Sequence, residues 1–218
     1  MSSAPLVTPD PKTRGAEMAV DALVELGADT FFGIPGGPII PLFDAILTHP
    51  GARLVEPRHE ASASFLAMGW HRATGRVPVV VVTAGPGATN VVTGVVAAAL
   101  ERVPMLVICG DVAWGSTGRR LLQDTGEASI GIERMLGHVA RATIRASRPQ
   151  SVASQAIAAY RAATDPYRPG PALLVLPIDH AGAVVEHRSV TRSGVRPRVA
   201  GKPEDSWLAE VEGKLRTA

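Results

Sequence analysis

Val79-Val80-Val81-Val82 and Leu173-Leu174-Val175-Leu176 are unbroken aliphatic runs, and they constrain the fold of this chain more than any other feature. Successive side chains of a strand point to opposite faces, so a strand without polar alternation must be covered on both. Further short apolar runs at Thr30–Phe32, Arg53–Val55, His138–Ile144 and Met105–Cys109 bring the expected total to about six strands. The segments between them are long enough for crossover helices. One of these, Ala16, Ala19, Val20, Leu23 and Val24, shows a helical stripe that ends at Gly27. The expected fold is therefore α/β, a doubly wound, mostly parallel sheet with helices on both faces.

Expected boundaries follow from the same pattern. The domain runs over residues 13–183, the polar, proline-containing stretch 184–203 reads as a linker, and 204–218 reads as a C-terminal helix. In that helix Trp207, Leu208, Val211 and Leu215 share a face, with Asp205 or Ser206 available as N-cap. Such a helix needs something to pack against.

Composition excludes several functions. The formal net charge is only +2, and arginines are scattered among acids, so no basic groove for nucleic acid is expected. Arg141, Arg145 and Arg148 come closest to a cluster and read as a solvated face. No apolar run reaches the roughly 18 residues of a membrane span, and no stretch near Met1 resembles a signal peptide, so the expected location is the cytoplasm. The six histidines make no ligand pair at helical spacing, and no metal site is expected in this chain. Cys109 is the only cysteine and reads as a buried strand position.

An open parallel sheet gathers its ligand loops at the carboxyl ends of its strands. Here these are Gly33–Pro38, Glu56–Glu60, Thr83–Asn90 and Gly110–Glu127. Gly33-Ile34-Pro35-Gly36-Gly37-Pro38 can let backbone approach a ligand where a Cβ would obstruct it, although a tight strand-to-helix turn uses the same residues. Thr83-Ala84-Gly85-Pro86-Gly87-Ala88-Thr89-Asn90 also joins strand to helix, but Asn90 stands where a dinucleotide fingerprint has its third glycine. Asp111 falls slightly late for the acidic residue of that fingerprint, so no nicotinamide site is expected. Glu60, at another strand-to-helix junction, either points a carboxylate into the loop crevice or merely favours the positive end of its helix, worth roughly 0.3–1 kcal/mol.

Together, Phe32-Gly33-Ile34-Pro35-Gly36-Gly37, Pro57-Arg58-His59-Glu60, Gly85-Pro86-Gly87-Ala88-Thr89-Asn90 and Arg168-Pro169-Gly170-Pro171 resemble, in order and spacing, the N-terminal domain of acetolactate synthases. The resemblance runs from about Thr13 to Asp179 and includes Val103-Pro104 and Leu122-Gln123-Asp124. It implies a domain that binds the aminopyrimidine of thiamine diphosphate. By that resemblance Glu60 hydrogen-bonds N1′ of the pyrimidine and is the catalytic residue that activates the cofactor for attack on a 2-oxo acid. Ile34, Pro35, Gly36, Gly37, Pro57, Thr83, Gly85 and Asn90 are its implied companions in cofactor binding, and Gln123 lies on the substrate side.

The family's diphosphate and magnesium site uses Gly-Asp-Gly followed some 25 to 30 residues later by asparagine. Gly110-Asp111-Val112 is not that motif, and Asn90 is the only asparagine in the chain. Magnesium and the diphosphate site are therefore expected from a partner subunit, in a homo- or hetero-oligomer. The implied function is the pyrimidine-binding subunit of a split carboligase or decarboxylase, a transferase or lyase. A truncated acetolactate-synthase-like chain is a second reading, and a non-catalytic regulatory or assembly subunit a third, though the latter has no need of Glu60. Acetolactate synthases commonly carry a lysine near Gly137-His138 that this chain lacks, so the 2-oxo acid and its acceptor stay open, as does flavin binding.

Overall fold

Val79 and Val81 face one side of the sheet and Val80 and Val82 the other, and each packs into a different apolar cluster. Leu173 and Val175 alternate with Leu174 and Leu176 in the same way. The unbroken runs thus reflect two cores, one on each face of a single sheet. The computed structural model describes residues 12–119 and 121–186. Its strands are β1 (Lys12–Arg14), β2 (Thr30–Gly33), β3 (Arg53–Val55), β4 (Val79–Val82), β5 (Met105–Asp111), β6 (Thr143–Arg145), β7 (Pro171–Pro177) and β8 (Val184–Glu186). Six of these, in the order β3-β2-β4-β5-β7-β6, form one sheet whose neighbours all pair in parallel.

The helices are α1 (Gly15–Glu25), α2 (Ile40–Thr48), α3 (Glu60–Thr74), α4 (Pro86–Asn90), α5 (Val92–Leu100), α6 (Ile132–Leu136), α7 (Val152–Ala163) and α8 (Ile178–Gly182). Ala16, Ala19, Val20 and Leu23 of α1, Leu42 and Ile46 of α2, and Val152, Ala156 and Ala159 of α7 cover one face. Ala63 and Ala67 of α3, Val95 and Ala98 of α5, and Ile132 and Leu136 of α6 cover the other. Each fully buried Leu or Ile contributes roughly 1.5–3 kcal/mol. The α/β, doubly wound expectation holds.

From β2 the chain turns to β3 on one side, then returns to β4 on the other. The switch point of the sheet therefore lies between β2 and β4, where open α/β sheets place their ligands. The two strands approach closely there, since a Cβ on Gly33 would collide with the carbonyl oxygen of Val81.

Two features depart from the sequence reading. Val184–Glu186, the first three residues of the expected linker, form β8 and pair antiparallel with β1, Lys12 opposite Glu186 and Arg14 opposite Val184. The rest of that linker and the helix expected at 204–218 lie outside the described residues. Arg145, expected on a solvated face, is instead largely buried, with its side chain 16% exposed and paired to Asp111 and Glu133. A guanidinium can enter the interior only with carboxylates to satisfy its donors, and these two do so. Among the described residues no helix is long and apolar enough to cross a membrane.

Candidate functional site

Glu60 is the first residue of α3. His59 precedes it in extended conformation, and its Nδ1 accepts a hydrogen bond from the Ala61 amide at 3.2 Å, capping the helix. The carboxylate of Glu60 thus stands at the positive end of α3. It also reaches across the crevice, where its Oε2 accepts a hydrogen bond from Asn90 Nδ2 at 3.0 Å. One geometry thus places the Glu60 carboxylate at the start of α3 and against Asn90 of α4. Asn90 is the last residue of α4, a single turn that begins at Pro86 after Gly85 turns the chain at φ +67°. Pro suits the first helical position, where its missing N–H has no partner to lose.

Thr83 lies at the centre of this group. Its Oγ1 is buried and has no hydrogen-bond partner. A buried hydroxyl without a partner costs roughly 1–3 kcal/mol, and among the described residues Ser64 Oγ, Trp70 Nε1 and Thr125 Oγ1 share this state with Thr83 Oγ1. Two glycines flank it. A Cβ on Gly36 would stand 2.6 Å from Thr83 Cβ and Oγ1, and one on Gly87 would stand 2.8 Å from Thr83 Cγ2 and 3.3 Å from Glu60 Oε1. Gly36, from the β2 loop, and Gly87, from α4, therefore build a backbone wall around Thr83 and Glu60 at the switch point.

Gln123 enters from a third loop. A Cβ on Gly85 would lie 3.3 Å from Gln123 Cα and 3.5 Å from its Cγ. Of the residues anticipated from sequence, Glu60, Asn90, Thr83, Gly36, Gly85 and Gln123 are thus brought together. Ile34, Pro35, Gly37 and Pro57 occupy flanking loop positions outside this contact group, with Pro35 and Gly37 exposed. A Cβ on Gly37 would meet open space.

The sequence reading passed over Gly87 as a wall residue and over the buried Asp111–Arg145–Glu133 cluster beside the crevice. Asp111 closes the apolar strand Met105–Asp111 and is fully buried, and an acid at the end of such a strand is itself a signal that a cation must lie opposite. Cys109, on the same strand, is an inert thiol. Burial pushes its pKa far up and Asp111 adds to the shift, with Arg145 opposing.

The Glu60 carboxylate could hold a ring nitrogen of an aminopyrimidine, with Asn90 keeping the carboxylate in place. Among the described residues, no group of three or more His, Cys, Asp or Glu could hold a metal ion.

Comparison with known proteins bears on the same residues. Residues 13–130 match the family described as "Thiamine pyrophosphate enzyme, N-terminal TPP binding domain". The chain is 43% identical over 118 residues to the acetolactate synthase large subunit of Lactococcus lactis, covering 54% of this chain and 20% of that protein. It is 36% identical over 175 residues to the large subunit from Corynebacterium glutamicum, covering 80% of this chain and 27% of that protein. It is 32% identical over 207 residues to the acetolactate synthase of Bacillus subtilis, covering 95% and 35%. The chain thus spans about a fifth to a third of the length of these relatives. With the matched region taking in the β2 loop, Glu60, Thr83, Asn90 and Gln123, the chain belongs to the thiamine pyrophosphate enzymes and carries their N-terminal TPP binding domain.

Proposed function

We propose that the chain is the pyrimidine-binding subunit of a thiamine-diphosphate-dependent carboligase or decarboxylase acting on a 2-oxo acid, and that Glu60 is its catalytic residue. The observation that supports this reading is the Glu60 carboxylate, held by Asn90 at the switch point of the sheet and inside the stretch that matches the TPP-binding family.

When bound, thiamine diphosphate supplies a nucleophilic carbon and an electron sink for reaction at the carbonyl of a 2-oxo acid. This chain's part is to bind and to move a proton. Asn90 fixes Glu60 through Oε2, leaving Oε1 to share a proton with N1′ of the pyrimidine. Thr83, Gly36, Gly85 and Gly87 would line the pyrimidine, together with Ile34, Pro35, Gly37 and Pro57. Gln123, over Gly85, faces the substrate. The diphosphate and its magnesium would be held by a domain carrying the Gly-Asp-Gly motif, which these residues do not include, and we assign that domain to a partner subunit. Phe65 and Leu66 on α3, 48% and 47% exposed, give that partner an apolar surface next to the site. Val95 of α5 and Val91 just before it are buried in the domain's own core.

The test is reconstitution. The chain alone should bind thiamine diphosphate with magnesium weakly or not at all. Mixed with a polypeptide carrying Gly-Asp-Gly and its downstream asparagine, it should bind tightly and consume a 2-oxo acid. Micromolar, magnesium-dependent binding by the chain alone in calorimetry, or failure of every such mixture to bind, would overturn the reading.

A further inference from the structure

The loop that presents Gln123 runs from the end of β5 to the start of α6, and buried charge holds it beside the apolar contacts of Val112 and Ile130. Asp111, fully buried at the end of β5, accepts hydrogen bonds at Oδ1 from the amides of Val112 and Thr125, both at 2.9 Å. Its Oδ2 pairs with Arg145 Nη1 from the end of β6. Arg145 donates in turn to Glu133 of α6, through Nε at 3.1 Å and Nη2 at 2.6 Å. Within the loop, Asp124, also buried, accepts from the Gly118 amide at 3.1 Å and the Gly126 amide at 2.7 Å. Gln123 therefore sits one residue before an aspartate that grips its own loop and two before an amide tied to the sheet. Its Cα and Cγ lie 3.3 and 3.5 Å from where a Cβ on Gly85 would stand.

We propose that Asp111, held by Arg145 and Glu133, is a positioning residue that sets Gln123 over the cofactor crevice and so tunes the affinity for the 2-oxo acid; the substrate half of this proposal rests on the function proposed above. The charge arrangement serves that end. One guanidinium between two carboxylates ties β5, β6 and α6 together, and the loop is caught where these three elements meet. Burial lowers the pKa of Arg145, but its hydrogen bonds to Glu133 and Asp111 more than reverse this, so the tie stays charged. Breaking one member of a buried pair leaves an uncompensated charge, which concentrates the effect on whatever the pair holds.

The test uses Asp111→Asn, which keeps an acceptor for Thr125 but turns an amide donor toward Arg145. In the full chain, amide exchange at Gly118, Thr125 and Gly126 should speed up at least tenfold, while the strand amides of Val80, Val107 and Leu174 stay within twofold. In the enzyme assembled with its diphosphate-binding partner, KM for the 2-oxo acid should rise at least tenfold, with the Kd of thiamine diphosphate within twofold. Should Asp111→Asn not fold, Glu133→Gln, at the outer end of the network, is measured in its place and should show both effects at about threefold. Equal acceleration of loop and strand amides, unchanged loop exchange, or KM and cofactor Kd moving together would each overturn the proposal. A wild-type assembly that binds no thiamine diphosphate, with loop exchange still rising in the variant, would overturn the functional reading and its substrate half while supporting the anchoring.

Discussion

Glu60→Gln separates proton transfer from structure because the amide fills the same volume. Its carbonyl oxygen can replace Oε2 as acceptor for Asn90 Nδ2, now at 3.0 Å, with the new NH₂ where Oε1 lies beside Gly87. Two stabilising effects are lost. The favourable interaction of a negative charge with the start of α3 is worth about 0.3–1 kcal/mol. Changing a charge-assisted hydrogen bond to a neutral one removes about 1 kcal/mol more. The stability change should therefore stay within about 2 kcal/mol, a fall in Tm of about 4–8 °C for a domain of this size. Turnover should fall much further, because an amide cannot shuttle the proton at N1′. General acid–base contributions of about 10²–10⁴ set the expected loss at no less than a hundredfold. The assay is 2-oxo acid consumption by the assembled complex, with hydrogen–deuterium exchange at C2 of the cofactor followed in parallel and thermal unfolding of the chain as control. Turnover and exchange both within a few-fold of wild type would refute the catalytic role and leave Glu60 as a helix-terminal charge. A Tm drop well beyond 8 °C would show that its role is structural.

Gly85→Ala should lower stability by about 1–3 kcal/mol, because φ +67° is strained for alanine, and should also displace Gln123; chemical denaturation that shows no loss would contradict the strained turn. Phe65→Glu together with Leu66→Glu should abolish association with the partner subunit in sedimentation while leaving the circular dichroism unchanged, and undiminished association would remove α3 from the interface. Cys109 and Tyr160 both have pKa values raised by burial in the folded state. The folded chain thus holds these protons more tightly than the unfolded one, so this stability is present below the unfolded pKa values and is lost as pH rises toward the folded ones. Denaturant midpoints should fall as pH climbs above about 8.5, the ordinary thiol range. Cys109→Ala should flatten that slope, and a slope unchanged by the substitution would show that the thiol does not contribute.

The sheet was legible because its signal is one of composition at consecutive positions. A strand with helices on both faces admits no polar residue, and Val79–Val82 and Leu173–Leu176 announce it without any knowledge of their neighbours. The β1–β8 pair was not legible, since Lys12–Arg14 and Val184–Glu186 bury only Val185 among them and have no periodicity to read. Val91 and Val95, buried in the core beside exposed Phe65 and Leu66, show a different limit. An apolar stripe looks the same whether it faces its own core or a partner, and only packing decides, here through the close approach of Gly94 to Ser64 that draws α5 onto α3. Arg145 failed for a related reason, because its carboxylate partners lie 34 and 12 residues away and the nearest charges in sequence are the cations Arg141 and Arg148. In the site, the meeting of Glu60 with Asn90, 30 residues on, could be anticipated only from the family pattern. The unpartnered Thr83 hydroxyl is a property of three dimensions alone.

The pairing of β1 with β8 also has a mechanical consequence. Among the described residues, Lys12 and Glu186 are opposite one another in the outermost pair of a three-residue antiparallel ladder. Tension applied through the chain at these two points would load the hydrogen bonds one after another, as in a zipper, rather than all at once in shear. The clasp would yield at low force, while the six parallel strands behind it bear load only after it has opened. Pulled by its ends, the domain should lengthen in two steps, a short compliant one and a stiff one, with the crevice intact between them.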